Sequence, residues 1–206
     1  MSSCARPAEP NEFIPDDYFR RHDSTDIFGN NQPLEIDLGC GDGTFLLEMA
    51  KHYPDRNFLG VERLLGRVRS VCKRIESLGL TNAKVLRLES HYTIEWLLAH
   101  GSISRLHLLC PDPWPKAKHH KRRLVQQPFL RSLYQALQPD GEFLFKTDHP
   151  EYFEWVCEEM DTFKKFNALS WPDEGEEGAL FYPKTDFQKL WESEGKTIHR
   201  LRYSKG

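Results

Sequence analysis

Three glycines at alternate positions follow a short predicted strand early in the chain, and they constrain the fold more than any other feature. The segment Leu34-Glu35-Ile36-Asp37-Leu38 predicts a strand, and residues 44–53 predict a helix. Between them, the pattern Asp37-x-Gly39-x-Gly41-x-Gly43 lets the backbone turn tightly and approach a ligand closely. It therefore predicts a ligand-binding turn at the carboxyl end of a strand. The alternative is a tight corner that binds nothing.

Apolar segments alternate with helical periodicity along the rest of the chain. The helical spacing is clearest after Leu65, where Val68, Val71, Cys72 and Ile75 recur every three or four residues. Further strands are predicted at residues 57–62, 84–88, 105–109, 142–147 and 197–203, and further helices at residues 91–99, 125–137, 150–160 and 185–194. The alternation predicts an α/β fold, in which helices cover both faces of a mainly parallel sheet.

The length and composition fit one globular domain. With 206 residues, 39% of them hydrophobic, the chain can bury a single core. Residues 1–32 are predicted to form a loosely ordered N-terminal arm, residues 33–206 the domain, and residues 172–178 an acidic, glycine-rich loop. The five cysteines include no C-x-x-C pair, and no apolar run is long enough to span a membrane. We therefore expect reduced thiols, no metal, no membrane contact and a cytoplasmic location.

Acidic residues stand at the ends of three further predicted strands. Glu62 comes about 20 residues after the glycine turn, where an acid accepts the two hydroxyls of a nucleotide ribose. The glycine spacing differs from the G-x-G-x-x-G of dinucleotide sites and, with Asp37 ahead of it, resembles the cofactor turn of class I S-adenosylmethionine-dependent methyltransferases. In that fold Glu89 would reach the adenine amine, and Asp112 would border the exit of the methyl group.

A proline-rich corner and a dense basic run adjoin at residues 111–123. The prolines restrict the backbone on either side, so Asp112 and Trp114 are predicted to be extended. Taken alone, the corner fits a packing wedge and the basic run a solvated surface. Their adjacency favours an anionic substrate held beside a reacting group. Phosphates of that substrate are the predicted contacts of Lys121, Arg122 and Arg123.

Together these residues resemble the bacterial tRNA (guanine-N7)-methyltransferases. The resemblance extends from about residue 34 to the C-terminus and rests on Asp112-Pro113-Trp114-Pro115-Lys116, His119-His120-Lys121-Arg122-Arg123, Thr147-Asp148 and Thr185-x-Phe187. It implies a Rossmann-like class I methyltransferase fold, a seven-stranded sheet with an antiparallel last strand, and a monomer or weak homodimer. It also implies S-adenosylmethionine as the methyl donor and the variable-loop guanosine 46 of tRNA as the acceptor.

The resemblance further assigns roles to single residues. The cofactor positions are Asp37, Gly39, Gly41, Glu62, Glu89 and Asp112, and the substrate positions are Lys116, Asp148 and the segment from Thr185 to Gln188. Gln188 stands where the family usually has Glu, so it keeps an acceptor oxygen but lacks the charge.

The chemistry of the acceptor singles out one catalytic residue. Guanine N7 carries a free lone pair, so its methylation requires no general base. The base becomes cationic, and a carboxylate nearby lowers the barrier; Asp112 is the predicted catalytic residue, with Asp148 as a second acid. Asp148 has a structural alternative, as the cap of the helix at residues 150–160.

Two other functions compete with this one. The basic run disfavours a methyltransferase for a small molecule or a protein. The intact glycine turn and Glu62 disfavour a tRNA-binding protein without catalytic activity.

Overall fold

A computed structural model describes residues 9–171 and 181–206. Within them, eight strands form one sheet in the order β1-β4-β3-β2-β5-β6-β8-β7. The strands are β1 Glu12–Phe13, β2 Leu34–Leu38, β3 Asn57–Val61, β4 Ala83–Leu86, β5 Ile103–Leu109, β6 Leu137–Thr147, β7 Phe166–Leu169 and β8 His199–Lys205. The loop predicted at residues 172–178 lies outside the described residues.

The predicted mainly parallel sheet with an antiparallel last strand is confirmed. Strands β1 to β6 pair in parallel, and β8 runs antiparallel to both β6 and β7. The sheet has eight strands rather than seven because the two-residue strand β1 pairs with the outer edge of β4. The sequence pattern has no signal for β1 or for β7, because both are too short to show alternation.

The helices are α1 Ser24–Phe28, α2 Thr44–His52, α3 Leu65–Ser77, α4 Ser90–Tyr92, α5 Gln127–Ala136, α6 Pro150–Phe163 and α7 Asp186–Ser193. Helices α2 to α7 follow the predicted order, whereas α1 lies within the segment predicted to be a loosely ordered arm. The helix predicted at residues 91–99 is irregular: α4 continues as a π-helical turn over Thr93–Leu97. The basic run forms a 3₁₀ helix over Ala117–Arg122.

Two apolar clusters, one on each face of the sheet, make up the core. Alternation along β3 shows the division, since Phe58 packs with helices α2 and α3 while Leu59 and Val61 pack on the opposite face. That second face is covered chiefly by α5 and α6. Both faces are therefore closed, and the carboxyl edge of the parallel strands is left as the place where loops gather.

Residues 9–32 pack against the sheet. Helix α1 begins with a reciprocal capping box between Asp23 and Asp26, and its Ile27 is buried in the core. Strand β1 extends the sheet beyond β4. The division into an arm over residues 1–32 and a domain over residues 33–206 stays a prediction.

Candidate active site

The glycine turn joins β2 to α2 at the carboxyl edge of the sheet. Gly39, Gly41 and Gly43 have φ angles of 84°, 59° and 79°, in the left-handed region that other residues rarely adopt. A Cβ atom at Gly43 would also lie 2.6 Å from Cγ1 of Val71, so the turn needs glycine there for space as well. The backbone nitrogens of Gly39 and Cys40 donate to the carbonyl of Val61, which fixes the turn to the end of β3.

Asp37 lies buried beneath this turn. Its Oδ2 atom has no hydrogen-bond partner among the described residues. Burial, with smaller contributions from Asp42 and Glu62, raises the pKa of Asp37 to about 8. A buried acid in this state favours a cationic or donor group placed against the turn, because such a group would satisfy the orphaned oxygen.

A cleft of about 560 Å³ opens at the carboxyl edge of the sheet. It brings together four of the six predicted cofactor residues, which are Gly39, Glu62, Glu89 and Asp112. Gly41 of the turn and Asp37 of β2 are not among the residues that line it. The residues that the sequence placed at successive strand ends therefore surround one space.

Glu62 and Glu89 are held by backbone contacts at the ends of β3 and β4. Oε1 of Glu62 accepts a hydrogen bond from the backbone nitrogen of Leu64 at 2.7 Å, and Nη1 of Arg67 lies 3.5 Å from its Oε2. Glu89 caps α4, since its Oε2 accepts from the backbone nitrogen of Tyr92 at 2.9 Å. Both carboxylates are thereby oriented in the wall of the cleft.

The corner that carries Asp112 is strained. Cys110 and Trp114 have φ angles of 51° and 45°, a left-handed conformation that costs about 1–3 kcal/mol for each such residue. The prediction that Trp114 is extended is therefore wrong. The backbone nitrogen of Cys110 donates to the carbonyl of Lys146, which ties the corner to β6. Asp112 itself is exposed and lines the cleft.

The basic run divides into exposed and buried cations. Lys116, Lys121 and Arg122 are exposed. The guanidinium of Arg122 lies 4.8 Å from the ring centroid of Trp114, at the rim of the cleft. Lys121 and Arg122 also line an adjoining cleft of about 300 Å³. These side chains are available to a ligand.

The prediction that Arg123 contacts a phosphate of the substrate is wrong, because Arg123 is only 2% exposed. Its Nε donates to the carbonyl of Pro113 at 2.9 Å, and its Nη2 donates to Oε1 of Glu151 at 3.0 Å. The guanidinium also lies 5.1 Å from the ring centroids of both Tyr152 and Trp155. Arg123 therefore holds the basic run to α6 and cannot bind a phosphate in this structure.

Thr185 caps a helix, whereas Asp148 does not. The cap of α6 is His149, whose Nδ1 accepts from the backbone nitrogen of Tyr152, so the alternative role of Asp148 as that cap is not observed. Asp148 is half-buried just beyond β6. Thr185 caps α7, since its Oγ1 accepts from the backbone nitrogen of Gln188 at 3.0 Å.

Gln188 is buried and faces the sheet. Its Oε1 accepts a hydrogen bond from Nζ of Lys146 at 3.2 Å. Two neighbours on α7, Phe187 and Trp191, line the cleft instead. Lys146 and Trp191 were not predicted from the sequence, although Lys146 interrupts the apolar pattern directly after Phe143-Leu144-Phe145.

Comparisons with known proteins agree with this geometry. The family model described as "Putative methyltransferase" matches residues 31–201. The tRNA (guanine-N(7)-)-methyltransferase of Syntrophotalea carbinolica is 34% identical over 198 residues, which cover 92% of this chain and 84% of that protein. The enzyme of the same name from Geobacillus kaustophilus is 33% identical, with 94% of this chain and 88% of that protein covered.

Solved structures show the same fold at low sequence identity. The 16S rRNA methyltransferase KamB has a TM-score of 0.63 at 16% identity, over 87% of this chain and 90% of that one. A SAM-dependent methyltransferase from Aquifex aeolicus has a TM-score of 0.57 at 13% identity, over 86% and 85% of the two chains.

In the described part of this chain no helix could cross a membrane, and no group of three or more His, Cys, Asp or Glu side chains could hold a metal ion.

Proposed function

Because this chain belongs to the family of the tRNA (guanine-N(7)-)-methyltransferases, we propose that it transfers a methyl group from S-adenosylmethionine to N7 of guanosine 46 in the variable loop of tRNA. The observation that carries the proposal is the convergence of Gly39, Glu62, Glu89 and Asp112 on one cleft. The exposed cations Lys116, Lys121 and Arg122 beside it suit a nucleic-acid substrate.

The residues around the glycine turn fit this donor. S-adenosylmethionine, when bound, supplies an electrophilic methyl group on a positively charged sulfur. Asp37, with its unpaired buried oxygen, would bind the ammonium of the donor's amino-acid part. Glu62 would accept the two ribose hydroxyls, as an acid at the end of the second strand does in nucleotide-binding folds, and Glu89 would accept from the adenine amine.

The acceptor side of the cleft provides charge rather than a base. Guanine N7 has a lone pair and no proton to lose, so no general base is needed. Asp112 instead acts as a fixed negative charge beside the guanine, which becomes cationic when it is methylated. Asp112 and Asp148 are also suited to accept the N1 and exocyclic amine protons that identify guanine. Lys116 would donate to O6 or to a neighbouring phosphate.

Methylation of paired tRNA transcripts tests the proposed position. One transcript carries guanosine 46 and the other adenosine 46, with the rest of the sequence unchanged. We expect the protein to methylate the first at N7 and to leave the second unmodified. Equal methylation of both transcripts would contradict the assignment of position 46 while leaving the reaction type intact.

A further inference from the structure

Helix α7 presents an apolar face to the cleft. Phe187 and Trp191 line the cleft, and their ring centroids lie 5.6 Å apart. Phe187 is 52% exposed. Half-exposed apolar side chains in a substrate cleft provide surface that a bound base can cover, provided that the helix carrying them is held in place.

An apolar core does not hold this helix. Gln188 is the buried residue of α7. A helix of eight residues is marginal without tertiary contacts, so the polar contacts of α7 determine its position. At the first turn, Oγ1 of Thr44 lies 3.3 Å from Oδ2 of Asp186 between exposed side chains. The buried contact is the one between Gln188 and Lys146.

Lys146 is a buried cation with a neutral hydrogen-bond partner. Its Nζ donates to Oε1 of Gln188 at 3.2 Å and lies 4.5 Å and 5.1 Å from the ring centroids of Tyr182 and Trp171. Among residues 9–171 and 181–206 no carboxylate forms an ion pair with Lys146, although Glu192, whose Oε1 accepts from Nε2 of Gln188 at 2.8 Å, acts to raise the pKa of Lys146. Burial lowers the pKa of Lys146 to about 8, so its ammonium depends strongly on the few contacts that it makes.

We propose that Lys146 is a positioning residue, which fixes α7 through Gln188 and so places Phe187 and Trp191 as the apolar wall of the cleft. The inference rests on the proposed function, since the wall serves the target base. A charged donor buried beside aromatic rings gives a stronger hydrogen bond than a neutral, exposed one. Removal of the ammonium would leave Gln188 with a buried unpaired oxygen and free α7 to move away from β6.

The position of Lys146 in the sheet predicts which ligand is affected. Donor residues Gly39, Glu62 and Glu89 follow β2, β3 and β4, whereas Lys146 lies on β6, on the other side of β5. Asp112 and Asp148 follow β5 and β6. Lys146 therefore supports the acceptor side, and its loss should weaken tRNA binding more than donor binding.

Lys146→Met tests the proposal, with Lys205→Met as the matched control. Lys205 on β8 likewise donates one hydrogen bond, to the carbonyl of Leu137 at 2.7 Å, and lies 4.8 Å from the ring centroid of Tyr134, at a distance from α7. In Lys146→Met we expect amide hydrogen exchange in residues 186–193 to be at least tenfold faster, the change expected from losing one charged hydrogen bond. Exchange there should be unchanged in Lys205→Met.

The kinetic result separates positioning from general destabilisation. In Lys146→Met the KM for tRNA should rise about tenfold, while the dissociation constant of the donor stays within about twofold, and Lys146→Arg, which keeps the cation, should recover most of the loss. Gln188→Leu should reproduce the exchange result if Lys146→Met fails to fold. Unchanged exchange of α7 in both variants would overturn the proposal.

Exchange requires no turnover, so a protein that does not methylate tRNA would contradict the proposed function without affecting this measurement.

Discussion

Arg123 forms an ion pair with Glu151 at 3.0 Å, and the rings of Tyr152 and Trp155 lie close to the same guanidinium. This ion pair joins the basic run to helix α6. The cations of the run therefore differ in role, because Arg123 contacts other residues of the protein while Lys121 and Arg122 are exposed to solvent.

Arg123→Ala should lower the free energy of unfolding by about 1.5–3 kcal/mol, the cost of losing charged hydrogen bonds together with the packing of a buried side chain. Glu151 is 51% exposed and would be rehydrated, which favours the lower end of this range. Lys121→Ala, at an exposed neighbouring position, is the control, with an expected change within about 0.5 kcal/mol. Urea unfolding measures both variants, and equal stabilities would contradict the structural role of Arg123.

Replacement of both Lys121 and Arg122 by Ala should weaken the binding of all tRNAs to a similar extent. Binding to phosphates releases counterions, so the slope of log affinity against log salt concentration should become shallower by about 0.7–0.9 for each phosphate that is no longer neutralised. Binding titrations between low and moderate salt measure this slope. A slope equal to that of the unmodified protein would show that these cations do not contact the RNA.

Donor binding should depend on pH through Asp37. Its pKa of about 8 means that the donor-free protein carries a proton on Asp37 at pH 7. A bound cation lowers that pKa, so binding releases the proton and the donor's affinity should rise as pH increases from about 6 to 7.5, by at most tenfold per pH unit. Calorimetry in buffers of different ionisation enthalpy measures the release.

Asp37→Asn should bind the donor more weakly and without this pH dependence, because an amide has no proton to release. A pH dependence that survives in Asp37→Asn would assign the proton to another group.

The chemical step should be nearly independent of pH from about 6 to 8.5 at saturating donor and tRNA, because N7 loses no proton. Asp112→Asn should slow this step by about tenfold to a hundredfold and change donor affinity less, since the amide keeps the size but not the charge. Single-turnover kinetics measure the rate. A log-linear rise with pH that disappears on mutation of His119, His120 or His149 would instead show a histidine base.

Local patterns in the sequence accounted for the framework of the site. The predicted strand at residues 34–38 coincides with β2, because a strand that runs directly into a glycine turn has a well-defined end. The predicted helix at residues 185–194 contains α7 with Thr185 as its cap. Glu62, Glu89 and Asp112 converge because the carboxyl ends of neighbouring parallel strands share one edge of the sheet.

Contacts between distant parts of the chain could not be predicted from such patterns. In the sequence Arg123 cannot be distinguished from the basic residues beside it. Its buried role depends on Glu151, which is 28 residues later and contacts it only in the folded protein. The hydrogen bond between Lys146 and Gln188 spans 42 residues and forms only because the fold brings α7 beside the end of β6. The left-handed conformation of Trp114 opposes the usual preference of a residue before proline, and only the folded corner imposes it.

The most direct test of the central claim is mass spectrometry of nucleosides from tRNA incubated with the protein and S-adenosylmethionine. The proposed function predicts 7-methylguanosine as the new nucleoside, and its loss when Asp112 is replaced by Asn under limiting reaction time. Tritium or deuterium from the donor's methyl group should appear in that nucleoside alone. Absence of 7-methylguanosine, or methylation of a different base atom, would contradict the proposed function.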